Sequence, residues 1–517
     1  MSFGKVIRKS MKSIIAYFKS GKIEHVLVVG LIFRLIAAVF SKGYGMHDDH
    51  YLVIEAGQSF ADGFDYNNWL PLNNDGVPSG HSWFYVGIHF CIFKLLNFLG
   101  VDDPQSKMYV IRTIHAFYSL LSVYWSYRIM QLVSTEKAAV RVAWMMALLW
   151  FIPNASVRNL VEWVCLPPLI LSVYYMIKAE RADDLKKYFF VSGLFAGVAM
   201  GIRFQVIFFL AGSGLYLLSK MKWRQGIVMF SGFVLAFFLT QSADLFFYGR
   251  PFAEVTNYIN YNIIHSTTYF DQPWYTYFLT IGGMLIPPVS VFLMMGYVKG
   301  FKKLLVITLP ALVFFAFHSY FPNKQERFIL PFIPFFIMAG IAGWEAWRAE
   351  KKVSGFESGS WKFFWVLNAL GLIVLTTTYT KRSMVEGMYY LYKQPDFNNF
   401  IMDVSHKSAP IWPPQFYTGK WNKGYCIYQE YPVEKLKTDL DKKPANFPNY
   451  VLFFQEVNIG YRIADFKRKT GFDIEYCYTA QPSYFDALLH WLNPRNKNEP
   501  VFIFRIKSAK SVVGSGE

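Results

Sequence analysis

Three carboxylates fall within eight residues of one another in the segment GMHDDHYLVIEAGQSFADG: Asp48, Asp49 and Glu55, with His47 and His50 beside them. A carboxylate held partly out of water is suited to accept the proton of an attacking hydroxyl. Asp48 and Glu55 are seven apart, so a helix here places them on one face. The same residues also read as a solvated acidic loop, or as a His-Asp-Asp-His metal site. A second cluster is Phe321-Pro-Asn-Lys-Gln-Glu-Arg-Phe-Ile-Leu-Pro331. Lys324 and Arg327 are three apart, so one helical turn aims both at a phosphate. The competing reading is cations that simply reach lipid headgroups.

Three further polar groups precede or interrupt apolar runs: Arg158-Asn159 with Glu162, then Arg203, then Asp244 followed by Tyr248-Gly249-Arg250. Ionisable residues in such places are functional by default. The chain has no phosphate-cradling G-x-x-x-x-G-K-[ST], no CxxC, no HExxH and no Gly-x-Ser-x-Gly elbow. An ATP-driven pump, a zincin and the usual serine hydrolases therefore have no support. Four cysteines in 517 residues make neither a disulfide framework nor a dense metal site.

The elements that must carry these groups are membrane helices. The chain is 54% hydrophobic and only 17% charged, against about a quarter charged in soluble domains. Apolar runs of the length needed to cross ~30 Å of hydrocarbon lie near 24–40, 81–100, 108–133, 138–153, 160–177, 188–203, 204–219, 226–248, 274–297, 304–321, 328–346 and 363–380. The first reads as an uncleaved anchor. Residues 1–22 hold six Lys and Arg and no acid, which marks the cytoplasmic side. Basic clusters recur at 178–187, 220–224, 299–303 and 348–352, whereas 41–80 has six acids against Lys42 and belongs outside. Most of the net charge of +17 is thus topology signal, which weakens any nucleic-acid reading. Alternation requires one run to be re-entrant or split, and 138–153, with Arg141 and Pro153, is the suspect. That leaves eleven spans, with thirteen the other count, and all five polar clusters on the outer face.

Residues 381–517 differ in composition. Short β-like runs at Tyr425–Tyr428, Tyr450–Phe454, Ile474–Tyr478 and Val501–Ile506 alternate with amphipathic stretches such as 459–469. This reads as a small extracytoplasmic α/β domain with a disordered SAKSVVGSGE tail. Cys426 and Cys477 lie in two of these runs, where an exported compartment permits a disulfide. Neither pairing nor two free thiols is dictated by the sequence. No internal repeat of the transporter kind is present.

Taken as a set, the motifs resemble glycosyltransferase family 22, the polyprenol-phosphate-dependent mannosyltransferases of GPI-anchor and N-glycan assembly. Those enzymes carry Pro-Asp-Glu in the first lumenal loop, with a Glu seven residues after the Asp; here Asp48-Asp49 and Glu55 stand there. The family's Asn-x-x-Glu is matched by Asn159 and Glu162, and its Ile-Arg-Pro by Ile202-Arg203-Phe204. Asp244, Tyr248-Gly249, Asn257, Asn262 and Pro273-Trp274 follow the family's order and spacing. The signature His-Lys-Glu-x-Arg-Phe appears as Asn323-Lys324-Gln325-Glu326-Arg327-Phe328. The match runs from about 30 to 345; Asn323, Gln325, Asp49 and Phe204 depart from the pattern.

The resemblance implies a polytopic membrane protein of GT-C fold, residues 1–380, followed by the α/β domain of 381–517. It implies inverting transfer of a hexose, mannose above others, from a polyprenyl-phosphate donor to a glycan or glycolipid hydroxyl. Asp48 then accepts the proton, and Asp49 or Glu55 orients the acceptor. Lys324, Arg327 and Arg203 hold the leaving phosphate, while Asn159, Glu162, Asp244, Asn257, Asn262 and Glu326 line the substrates. No cofactor is expected, and no metal is required to carry away a phosphate monoester. Lysine abundance, few cysteines and the motif departures point to a bacterial inner membrane with the last domain in the periplasm; a eukaryotic chain would lie in the endoplasmic reticulum membrane. Two readings remain beside this one: a lipid or glycan transporter, and a receptor that keeps the core without the chemistry.

Overall fold

The computed structural model describes residues 22–70, 76–181, 185–349, 354–422, 424–442, 447–493 and 498–507. Most of the basic amino-terminal segment and the SAKSVVGSGE tail lie outside the described residues. The chain forms two compact units: Met1–Val39, Asn67–Ile88 and Val110–Thr377 make one, and Phe40–Tyr66, His89–Tyr109 and Thr378–Glu517 make the other.

The first unit is helical. Among the described residues, five helices are long and apolar enough to cross a membrane: Ile23–Phe40, Val161–Ala179, Trp223–Thr240, Glu326–Arg348 and Gly355–Thr376. Thr276–Met284 and Val289–Gly300 qualify as a sixth when joined. The sequence suggests one straight run there, but the two helices meet at 118°. Pro287 and Pro288 occupy the break; proline supplies no N–H and disfavours helix in the residue before it. The run 138–153 is likewise interrupted. Its helix, Glu136–Leu148, ends where Asn368 accepts from Trp150 N at 2.9 Å and donates to Leu148 O at 2.8 Å. Arg141 on that helix pairs with Glu345 at 2.6 Å.

Small residues let these helices touch. Leu185–Ile202 lies so close to Trp223–Thr240 that a Cβ on Gly193 would come 1.9 Å from Met229 O, and one on Gly232 would come 2.2 Å from Phe190 O. Such close approach substitutes van der Waals packing for the hydrophobic effect, which has no purchase between helices in lipid. Buried Arg34, in the first span, is fully engaged: it donates to Ser119 Oγ at 3.0 Å, Ala147 O at 2.9 Å and Met146 O at 3.2 Å. Two of these are carbonyls at the end of Glu136–Leu148, where the helix dipole favours a cation.

The second unit is built on a five-stranded sheet of order β2-β1-β3-β5-β4, with β1 Phe400–Asp403, β2 Tyr425–Ile427, β3 Tyr450–Phe454, β4 Asp473–Ala480 and β5 Val501–Lys507. The first three strands are parallel, and β5 and β4 are antiparallel additions. Central β3 is apolar and buried throughout, whereas edge β4 has a mixed pattern, as one solvated face requires. Val433–Lys442 and Ile459–Thr470 cover the sheet, burying Leu436 and Phe466 against Ile401, Val451 and Phe453. Buried Arg462 holds the carboxyl ends of β1 and β3 together, donating to Asp403 Oδ1 at 2.8 Å and Phe454 O at 2.8 Å.

The disulfide suggested for Cys426 and Cys477 is not formed; both thiols are free. They stand on β2 and β4, the two edges of the sheet. Four strand spacings separate them, about 19 Å, where a bridge tolerates Cα atoms no more than about 7 Å apart.

Candidate active site

Three breaks between helices supply the polar centre of the helical unit. Glu162 lies in the short helix Val161–Val164, delimited by extended Leu160 before it and by Pro167-Pro168 opening the next helix. Arg203 is the extended residue between Leu185–Ile202 and the 3-10 turn Phe204–Val206. Arg327 belongs to the 3-10 helix Glu326–Phe332. Non-helical backbone in a membrane protein is tolerated where it is buried in protein or lines a cavity.

These breaks bring the three side chains together. Arg203 lies 2.9 Å from Glu162 Oε1, and Arg327 Nε lies 3.5 Å from the same oxygen. Both guanidiniums lie over the Phe328 ring, 5.1 and 5.3 Å from its centroid. Two amides complete the ring: Gln325 Oε1 accepts from Arg327 Nε at 2.9 Å, and Gln205 Oε1 accepts from Arg203. His318 donates through Nδ1 to Phe314 O at 2.8 Å, leaving Nε2 3.5 Å from Gln205 Oε1. Glu162 is fully buried and the arginines nearly so. Glu162 Oε2 and Arg203 Nε have no hydrogen-bond partner among the described residues. Two buried guanidiniums thus converge on one carboxylate, and planar guanidinium donors suit an anion such as phosphate.

The expected Lys324–Arg327 pair is divided. Lys324 is not on a helical turn: Asn323 forms a β-bridge with Asp271, and the helix begins only at Glu326. The Lys324 ammonium donates to Gln272 O at 2.9 Å and Phe321 O at 2.6 Å. Burial lowers its pKa, and the Asp271 carboxylate partly opposes this. Glu326 is exposed. The Asn159 carbonyl oxygen lies 3.3 Å from the Tyr85 hydroxyl, which is itself 2.8 Å from His115 Nε2.

Asp244, Asn257 and Asn262 are occupied by the protein itself. Asp244 Oδ2 accepts from Glu254 N at 3.1 Å, capping Ala253–Ile264 in place of Phe252, whose left-handed backbone (φ 57°) brings no side-chain cap. Asn257 donates to Pro78 O, and Asn262 donates to Tyr258 O at 2.8 Å in its own helix. Glu254, which motif reasoning passed over, is fully buried. It accepts from Ser79 N at 3.1 Å, Ser79 Oγ at 3.0 Å, His81 N at 3.1 Å, Tyr248 OH at 2.6 Å and Gly80 N. The trailing end of the acidic loop is therefore tied down by one carboxylate.

The three candidate acids, Asp48, Asp49 and Glu55, lie in the other unit. Residues 47–61 are helical, but His50–Glu55 is π-helix, whose i→i+5 bonds widen the turn and often mark functional sites. Seven residues no longer make two turns, and the expected common face is lost. Asp48 is 52% exposed with His47 Nδ1 3.9 Å away, whereas Asp49 is buried and Glu55 is 0% exposed. Glu55 Oε1 accepts from Phe416 N at 2.9 Å, opening the 3-10 turn Gln415–Thr418. Burial pushes the Glu55 acid up to about 8, against the pull of the Phe416 and Gln415 amides. His50 is stacked between Tyr44 and Tyr417, with centroids at 4.9 and 5.5 Å, and burial lowers its pKa to about 3. His47 stacks instead on Tyr51 at 4.0 Å. Among the described residues no three His, Cys, Asp or Glu side chains are grouped to hold a metal ion.

Comparison with known proteins places this arrangement. The chain is 23% identical over 431 residues to GPI mannosyltransferase 3 of Yarrowia lipolytica, covering 77% of this chain and 79% of that one. It is 23% identical to GPI alpha-1,2-mannosyltransferase 3 of Danio rerio over 63% of this chain and 60% of that protein. Its fold matches ArnT from Cupriavidus metallidurans in the apo state, with a TM-score of 0.59 over 94% of this chain and 98% of that one at 13% identity. The same enzyme bound to undecaprenyl phosphate matches with a TM-score of 0.55 over the same shares at 13% identity. The model of the Alg9-like mannosyltransferase family matches residues 25–409, so this integral membrane chain, with its GT-C-type helical fold, belongs to the Alg9-like mannosyltransferases.

Proposed function

We propose that the protein transfers a mannosyl residue, with inversion, from a polyprenyl-phosphate donor to a hydroxyl of a glycan or glycolipid. The observation that carries the reading is the convergence of the buried Arg203 and Arg327 guanidiniums on Glu162. The undecaprenyl phosphate bound to ArnT supports a lipid-phosphate guest for a fold of this kind. In the reaction the acceptor oxygen attacks the anomeric carbon, and the carbon–oxygen bond to phosphate breaks. The donor phosphodiester carries one negative charge and the departing monoester approaches two. Arg203 and Arg327 therefore bind the leaving group more tightly in the transition state than in the ground state, which is the condition for catalysis. Asp48, the most exposed of the three loop acids, takes the acceptor proton; Glu55 is assigned to support of the Phe416 turn. Lys324 joins the donor site by exchanging a carbonyl partner for a phosphate oxygen.

The charge pattern supports eleven spans, with the acidic loop and the α/β domain on the extracytoplasmic side; lysine abundance, few cysteines and the motif departures favour a bacterial inner membrane. The test is transfer of labelled mannose from a polyprenyl phosphate by purified protein in vesicles. Transfer that releases polyprenyl phosphate and is lost in Arg203→Ala supports the reading. Movement of the intact lipid across the bilayer without transfer would establish the transporter instead.

A further inference from the structure

We infer that the helix Tyr484–Leu492 lies in the membrane interface, with its apolar face in the headgroup–acyl boundary of the bilayer. At 3.6 residues per turn, Tyr484, Leu488, Trp491 and Leu492 fall within an arc of about 100°. All four are exposed, Tyr484 by 98% and Trp491 by 76%. Asp486 points the opposite way and is buried. Such a contiguous apolar face on a folded domain signals a partner, and two neighbouring contacts identify it as lipid.

The first is the anchorage of the helix. Asp486 accepts the backbone N–H groups of Lys381 at 3.1 Å and Arg382 at 3.0 Å. Lys381 lies only five residues beyond Thr376, the end of an apolar helix long enough to span, and five residues reach at most about 18 Å. The second is the residue before it: Thr380 N donates to Lys42 O at 3.1 Å, and Lys42 is two residues beyond Phe40, the end of the first span. Gly43, at φ 83°, permits this contact, since a Cβ there would stand 1.8 Å from Thr380 O. The helix is therefore tethered to two stretches of chain that directly follow membrane helices. Its exposed residues are of the kind found at an interface: Tyr484 at one end, Leu488 in the middle, Trp491 and Leu492 at the other, with exposed Arg382 beside it for anionic headgroups.

The inference stands apart from the transfer reaction and is tested without it. With Cys91 and Cys477 replaced by serine, bimane is attached through Leu488→Cys, Leu492→Cys or, as a control on an exposed helix of the same domain, Thr438→Cys. The full-length protein is reconstituted into phosphatidylcholine–phosphatidylglycerol vesicles containing doxyl-phosphatidylcholine. Labels at 488 and 492 should lose most of their fluorescence to the doxyl lipid and be shielded from aqueous iodide, with the label at 438 doing the reverse. Iodide access at 488 and 492 equal to that at 438 overturns the inference. Shielding from iodide without doxyl quenching also overturns it, because a second copy or another protein segment then covers the face.

Discussion

The Glu55 carboxylate accepts the backbone N–H of Phe416 at 2.9 Å across 361 positions of chain, joining the acidic loop to the domain that follows the last helix. The bond is made by a group that burial keeps protonated: its pKa stands at about 8 against an unfolded 4.5. Between those values the native state holds a proton that the unfolded state has released, so stability falls as pH rises through the window. His50 acts in the other sense, with stability lost only as pH falls from 6.5 towards about 3. Glu55→Gln keeps an acceptor oxygen for Phe416 and removes the titration of Glu55 alone. The variant should gain unfolding temperature over wild type as pH rises from about 4.5 to about 8. Parallel pH profiles in detergent would dismiss the ionisation argument.

The arginine pair predicts a graded set of donor defects. Arg203→Ala and Arg327→Ala should each lower kcat by about 10²–10³-fold, the usual cost of removing one group that stabilises developing negative charge. Arg327→Lys should recover little, because an ammonium cannot span Glu162, Gln325 and a phosphate oxygen as a planar guanidinium does. Glu162→Gln removes the carboxylate charge that both buried guanidiniums face and should weaken folding in the absence of donor. Protection of that variant by added polyprenyl phosphate, read as a rise in unfolding temperature, would show the anion taking the carboxylate's place. Unchanged donor kinetics in both alanine variants would make the pair purely structural.

Glu254 is the residue whose removal should matter most outside the arginine centre. Its carboxylate serves the N–H groups of Ser79, Gly80 and His81 and the hydroxyls of Ser79 and Tyr248. Alanine there strands several buried donors at once and should cost about 2–4 kcal/mol of stability. Glutamine should restore part of it. Amide hydrogen exchange at Ser79–His81 should accelerate in Glu254→Ala while exchange in β3 stays unchanged. Uniform acceleration across both units would mean that the tie is not local.

These results show what patterning can and cannot disclose. Apolar runs located the helices because a membrane span leaves no other signal so strong, and Leu185–Ile202 and Leu305–Tyr320 lie almost where the runs do. The bends did not show: the Leu285–Pro288 break reads as apolar sequence carrying two prolines, and its angle depends on the packing of both halves. In the second unit, β1 escaped notice because Phe-Ile-Met-Asp is buried at every position and shows no apolar–polar alternation. Motif spacing singled out Glu162, Arg203 and Arg327, and the breaks between helices bring these three side chains together. The same spacing offered Lys324 as Arg327's partner on a helical turn, and a β-bridge at Asn323 takes that turn away. Glu254 was illegible because its importance lies in five donors, three of them backbone groups that carry no sequence signal.

The loop acids separate on exposure, and that separation makes the last prediction. A general base must reach the proton that it removes. Asp48 offers a carboxylate that is 52% exposed, Asp49 is buried, and Glu55 is committed to Phe416. Asp48→Asn should therefore lower kcat by about 10²–10⁴-fold, the typical worth of general-base help, with donor KM and unfolding temperature little changed. Asp49→Asn should act through stability, since it alters a buried carboxylate within the helix that presents Asp48. Glu55→Gln should leave kcat within a few-fold of wild type while changing the pH dependence of unfolding. Retained turnover in Asp48→Asn with loss in Asp49→Asn would transfer the proton to the buried neighbour, and would require the π-turn at His50–Glu55 to open during catalysis.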